Sequence, residues 1–334
     1  MIISGKEIST KIKDQLKEEV EQMKNKYDRL PKLAVILVGE NQASQVYVRN
    51  KERGCSYVGM DSLKITHDAT FSEEELLNEI KQLNEDDIKD IQTKLDDENN
   101  DFKSYKLSEV KLLSPIERPI HDILCVGVNY QAHLEEASER AKNFKKTSND
   151  AVYFGKRAIK IIGTNEDVQA CLDIDNALDY EVELAVIIGK TGKNIPVDKV
   201  EDYIFGYSIF NDFSSRRLQL KHMQWFKGKS LDTYSAMGPV ILHKSALPFP
   251  VEVDIKCSVN GELRQNSNTK LFLNDIPKVV SELSQGMTLE AGDIIATGTP
   301  SGVGMGYKPG KWLKSGDEVV CEIPPIGKLI NKIK

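Results

Sequence analysis

Two glutamates stand two residues apart in the segment DYEVELAVIIG, at Glu181 and Glu183. The segment has the apolar content of a strand, and along a strand successive side chains point to opposite faces. Glu181 and Glu183 therefore share one face, with Val182 and Leu184 on the other. Two parallel carboxylates repel unless something cationic lies between them. A hard divalent cation such as Mg²⁺ or Mn²⁺, or the larger Ca²⁺, takes oxygen ligands of this kind. Asp212, at the end of the apolar run in GYSIFNDFSSR, is a third candidate ligand. Three carboxylates would leave about three positions of an octahedral ion open for a substrate. Read alone, the pattern also suits an exposed charged strand face, and spacing does not say that the two segments meet.

A second pair lies in GVNYQAHLEEASE, where His133 and Glu136 are three apart and share a face if the segment is helical. A carboxylate beside an imidazole orients it and raises its basicity, so the pair could activate water. A surface salt bridge on a polar helix is the plainer alternative.

The elements that must position these groups can be read from periodicity. Ile8, Ile12, Leu16, Val20 and Met23 recur at helical spacing, and Leu33 to Val38 is a continuous apolar run ending at Gly39. Gln42 to Tyr57 suits a second helix, and Ser72 with Glu75 forms a capping box before Leu76. Residues 1–86 thus read as a small α/β segment. An acidic, polar stretch over 87–106 reads as helix and linker. Residues 107–334 are strand-rich, with short runs such as DILCVGV, VEVDIKCSV, GDIIATG and DEVVCEI, and one clear helix, DIPKVVSELSQG, with Asp275 as its N-cap. The expected class is α+β with a β-rich main domain.

Composition narrows the function. The net charge of −6 disfavours nucleic-acid binding, which needs a basic footprint. No apolar run approaches the ~20 residues that span a bilayer, and MIISGKEIST lacks the pattern of a secretory signal. The chain is expected in the cytoplasm, away from membranes. Its five scattered cysteines are expected to be reduced.

In order along the chain, GVNYQAHLEE, DYEVELAVIIGK, GYSIFNDFSSR, WFKGKSLDTYSAMGP, GDIIATGTPSGVG, LKSGDEV and IGKLIN resemble the fumarylacetoacetate hydrolase family, over residues 107–334. The resemblance implies a distorted β-roll, commonly a homodimer, with a metal at Glu181, Glu183 and Asp212. It implies a water-activating dyad of His133 and Glu136 on a short lid helix, with Lys229 facing the site. Lys156, Arg216, Gln219 and Thr299 match positions near the substrate. Two departures stand out: Arg217 occupies a position where the family usually has Asp, and Ala236–Met237 replace a frequent Pro. The implied reaction is hydrolytic carbon–carbon cleavage of a small 2,4-dioxo acid of the acylpyruvate or fumarylpyruvate kind. Decarboxylation of oxaloacetate-like acids, or isomerisation of 2-hydroxy-diene-dioates, would use the same platform without water attack. A metal-binding protein that has lost its chemistry is a further alternative.

The N-terminal strings GKEISTKIKDQLKEEV and LAVILVGENQASQVYVRNKERGCSYVG resemble the start of the bifunctional methylenetetrahydrofolate dehydrogenase/cyclohydrolase. Tyr47 and Lys51 match its folate-site tyrosine and lysine, and the likeness stops near residue 86. The Gly cluster GTPSGVGMG contains Pro300 and opens no helix, so no nucleotide cofactor is expected. The chain reads as a fusion of a truncated folate-enzyme segment with an oxo-acid enzyme, and a methylenetetrahydrofolate dehydrogenase/cyclohydrolase fragment is a further alternative for its function.

Overall fold

A computed structural model describes residues 5–27, 30–80, 83, 106–140, 150–222 and 224–334. By contact the chain divides into two units, Met1–Ser104 and Tyr105–Lys334. The expected acidic linker lies outside the described residues, Lys106 apart, as does much of the charged stretch after the dyad.

The first unit runs α1 (Gly5–Tyr27), β1 (Lys32–Val38), α2 (Gln42–Val58) and β2 (Asp61–His67), with helical residues at 73–80. β1 and β2 pair in parallel from Lys32↔Asp61 to Val38↔His67, so α2 is the crossover that a parallel pair requires. Asn41 caps α2 by accepting from the Ser44 N–H, and Gly59 ends it at φ 82°, a conformation that suits glycine. Ser72 and Glu75 bond reciprocally, as a capping box does. The helical stripe on α1 is less buried than its periodicity predicts: Val20 is buried, whereas Ile12, Leu16 and Met23 are exposed. α1 packs chiefly on α2, and one helix covers only a narrow row of another.

The second unit is built on two sheets. One contains β3 (Ile123–Gly127), β4 (Val152–Lys156), β7 (Val182–Ile188), β9 (Ile204–Asp212), β11 (Ser235–His243) and β15 (Ile294–Ala296), in the order β11-β9-β7-β15-β3-β4. The other contains β5 (Asp167–Val168), β12 (Asp254–Val259), β13 (Glu262–Asn268), β16 (Glu318–Ile323) and β17 (Gly327–Ile333), in the order β13-β12-β16-β17-β5; β6 (Leu178–Asp179) pairs separately with β10 (Ser214–Ser215), and β8 (Gly192–Lys193) with β14 (Thr288–Leu289). Val182, Leu184, Val186 and Ile188 of β7 face the second sheet, meeting Ile255, Val319 and Leu329 in one buried core. Ala185 and Ile187 face the other way, into a smaller cluster with Phe210 and Cys125. The alternation expected of DYEVELAVIIG is thus present, but both faces of β7 are buried because the strand is central. Asp275 caps the helix Ile276–Ser284 through the Lys278 N–H. The five cysteines are free thiols. Among the described residues no helix is long and apolar enough to cross a membrane.

Glu166 ties this unit's leading segment to its sheets. Its carboxylate accepts from the Gly163 N–H at 2.8 Å, Lys111 Nζ at 3.0 Å and Lys160 Nζ at 3.1 Å. Burial disfavours its charge, but these donors outweigh burial and lower its pKa to about 2. A depressed carboxylate stabilises the fold above its unfolded pKa of about 4.3 and loses that contribution as pH falls through the folded value. Glu166→Gln is therefore expected to lower the thermal midpoint near neutral pH and to flatten its fall between about pH 4 and 2, as read by circular dichroism.

Candidate active site

The pairing of β7 with β9 brings the carboxylates together. Val182 pairs with Asn211 and Glu183 with Phe210, so Glu181 stands opposite Asp212, whose N–H donates to the Glu181 carbonyl at 2.9 Å. Opposed residues share a face, and Glu183 lies on that face one period along. Glu181, Glu183 and Asp212 are buried, and each offers an oxygen within 4.8 Å of the others. Asn211 steadies the junction by accepting from the Glu181 N–H at 3.0 Å.

Three buried cations surround this group. Lys229 Nζ donates to Glu181 Oε2 and Asp212 Oδ2, both at 2.6 Å. Lys156 Nζ donates to Asp212 Oδ1 at 2.5 Å and to the Phe213 carbonyl at 2.9 Å. Arg216 reaches Glu181 Oε1 at 2.6 Å through Nη1 and Asp179 Oδ2 at 2.8 Å through Nε. Glu183 has no lysine or arginine within ion-pair distance among the described residues; its recorded partner is the Gly298 N–H, at 2.8 Å. Burial, with repulsion from Asp212 and Glu181, pushes its pKa well up. Burial works the same way on Glu181, but Lys229 and Arg216 outweigh it and hold that carboxyl well below the usual range.

The donor set fits a hard divalent ion: three buried carboxylates converge, and one of them, Glu183, has no cationic side chain paired with it among the described residues. Asp179, Glu181, Glu183 and Asp212, with all charges formed, exceed Lys156, Arg216 and Lys229 by one negative charge. A divalent ion would reverse that sign and favour an anionic substrate.

Glu181, Glu183, Arg216, Gln219, Lys229 and Thr299 all line one cavity of about 300 Å³, and so does His133. Its lining also includes the apolar side chains of Val126, Phe154, Leu220 and Trp225. Trp225 meets Phe154 edge-on at 5.1 Å between centroids and lies over Gly127, where a Cβ would come within 2.9 Å of the indole. The dyad forms on the helix α3 (Gln131–Arg140): His133 Nδ1 is 2.9 Å from Glu136 Oε2. Lys156 does not line the cavity, although the resemblance implies a place near the substrate. It is fully buried beneath Asp212, with both of its bonds directed to that carboxylate and to the chain beside it. Arg217 projects into solvent, 4.0 Å from Asp175, so its reversed charge does not disturb Arg216. Arg216 is supported by Asp179 and by Gln219 Oε1 at 3.1 Å. Tyr47 and Lys51 lie on α2 of the first unit, the ammonium 5.3 Å from the centre of the exposed tyrosine ring.

Asp179 and Asp175 are functional supports that residue types alone did not single out. Asp179 accepts from Gly304 N–H at 2.6 Å and Met305 N–H at 3.0 Å as well as from Arg216. Asp175 accepts from the Arg217 and Leu218 N–H groups at 2.9 and 3.1 Å, fixing the start of the short helix Arg216–Lys221. The two-residue period of Asp179, Glu181 and Glu183 was the available signal for the first.

Residues 122–334 match the family described as Fumarylacetoacetate (FAA) hydrolase C-terminal, and residues 3–91 match Tetrahydrofolate dehydrogenase/cyclohydrolase, catalytic domain. Oxaloacetate tautomerase YisK of Bacillus subtilis is 46% identical over 229 residues, which are 69% of this chain and 75% of that protein. The mitochondrial oxaloacetate tautomerase Fahd2a of Rattus norvegicus is 38% identical, over 68% of this chain and 70% of that protein. Among solved structures, a fumarylacetoacetate hydrolase from psychrophilic Exiguobacterium antarcticum superposes with a TM-score of 0.61 at 41% identity, over 70% of this chain and 80% of that one.

Proposed function

The chain belongs to the fumarylacetoacetate hydrolase family, and from that premise we propose that it interconverts the keto and enol forms of oxaloacetate or a close 2-oxo acid relative. The observation that carries this reading is the joining, in one cavity, of a carboxylate platform for a hard cation with a single imidazole whose far nitrogen is free of Glu136. Two relatives bearing oxaloacetate tautomerase names support it over the carbon–carbon cleavage expected first.

Glu181, Glu183 and Asp212 would hold the divalent ion, which when bound supplies Lewis acidity toward substrate oxygens. The reaction moves one proton between C3 and the C2 oxygen and leaves the carbon skeleton intact. His133 takes the proton from C3 through Nε2, with Glu136 holding Nδ1 and stabilising the imidazolium. Arg216 and Lys229 offset the substrate's carboxylate charge and the negative charge that grows on oxygen. The wall of Val126, Phe154 and Trp225 limits water around the enolate, which strengthens these charge contacts. His133 then returns its proton to the oxygen.

A hydrolytic reading keeps one specific support, the Glu136-oriented His133, since the same pair could draw a proton from water. The two readings separate on product. With Mg²⁺ or Mn²⁺, freshly dissolved oxaloacetate enol is expected to lose its ultraviolet absorbance faster with enzyme than without, at constant total oxaloacetate and with no pyruvate formed. Cleavage of acylpyruvate to pyruvate and a carboxylic acid, without acceleration of ketonisation, would overturn the proposal.

A further inference from the structure

The glycine-rich stretch 298–306 holds three carboxylates with main-chain N–H groups. Gly298 N–H donates to Glu183, Gly302 N–H to Glu136 Oε1 at 3.0 Å, and Gly304 N–H to Asp179. One segment thus grips both the metal-binding platform and the dyad. Its glycines differ in what they touch. A Cβ at Gly298 would meet the Val126 carbonyl at 2.8 Å, and at Gly302 or Gly304 it would run into the main chain of Arg264 or Lys311. At Gly306 the nearest atoms all belong to the side chain of Glu136: an added Cβ would lie 2.9 Å from Cγ and closer still to Cδ and Oε1. Gly306 has an ordinary negative-φ backbone, so alanine is tolerated there by the chain itself.

We infer that Gly306 is a positioning residue for the proposed reaction: its missing side chain is the space in which the Glu136 carboxylate lies while bonded to both Gly302 N–H and His133. The consequence follows from geometry. With Oε1 displaced, Glu136 loses the Gly302 bond, and Oε2 leaves the 2.9 Å contact that orients the imidazole. The platform is untouched, because Glu183 is held by Gly298, eight residues earlier. The inference rests on the reading of His133 and Glu136 as the proton-transfer pair.

The test is a cycle of Gly306→Ala, Glu136→Ala and the double variant in the full chain, assayed for oxaloacetate ketonisation with Mn²⁺ binding followed by electron paramagnetic resonance. Gly306→Ala is expected to lower kcat about 10- to 100-fold, the usual cost of losing the partner that orients a functional histidine. KM and Mn²⁺ affinity should stay within about twofold. In the Glu136→Ala background the three atoms nearest the added methyl are gone, so the double variant should be no worse than Glu136→Ala, even if Gly306→Ala alone folds poorly. Multiplying losses, or full activity of Gly306→Ala beside an impaired Glu136→Ala, would overturn the inference alone. Full activity of Glu136→Ala would overturn the dyad reading and the inference with it.

Discussion

Glu183→Ala is expected to abolish turnover, with a loss of at least about 1,000-fold in kcat/KM, or roughly 4 kcal/mol of transition-state stabilisation. Glu183 lines the cavity and is the one member of the three-carboxylate group without a lysine or arginine partner among the described residues. It is therefore the member whose charge depends most on a bound cation. Its removal should weaken Mn²⁺ binding strongly, measurable by titration calorimetry. The folded protein should not suffer, because burial and two neighbouring carboxylates make the Glu183 charge a cost to the metal-free fold. The thermal midpoint without metal is thus expected to stay level or rise, while the stabilisation that Mn²⁺ confers on the native chain disappears. An unchanged Mn²⁺ affinity would remove Glu183 from the ligand set.

His133→Ala should separate binding from chemistry. Its imidazole lines the cavity but holds none of the platform carboxylates; its recorded partner is Glu136. Loss of a positioned acid–base group costs about 100- to 10,000-fold in rate, so kcat should fall in that range with Mn²⁺ affinity within about twofold. Added imidazole, entering the space vacated, should restore part of the rate. Full ketonisation by His133→Ala would assign the proton transfer to another group, for which Lys229, bonded to two platform carboxylates and lining the cavity, is the candidate.

Much of this site was legible before any coordinates, and the reasons are particular. Glu181 and Glu183 share a face by parity alone, and β7 obeys that parity. Asp212 joins them only through the pairing of β7 with β9, a contact across some thirty residues that no local pattern encodes. His133 and Glu136 needed only one helical turn to meet. Lys156 was matched by its position in a familiar string, but its contact with Asp212 and the Phe213 carbonyl, more than fifty residues away, is set by the fold and not by any local pattern. On α1 the apolar periodicity was real but overstated burial, because how much of a stripe is covered depends on the element it packs against, here the single helix α2. The stretch 298–306 was the least legible part. Its lack of a nucleotide-loop pattern could be read directly, whereas its work is done by amides, which every residue type but proline supplies.

Anchoring by main-chain amides shapes how such a site drifts. Three of its carboxylates are anchored by groups that no codon specifies, so most substitutions at Pro300, Ser301, Val303 or Met305 leave the donors in place. Selection on the anchoring falls instead on the positions that must remain without a side chain. The stretch can thus vary widely in chemistry while its four glycines stay fixed, a pattern more often taken for a flexible linker than for a rigid clamp.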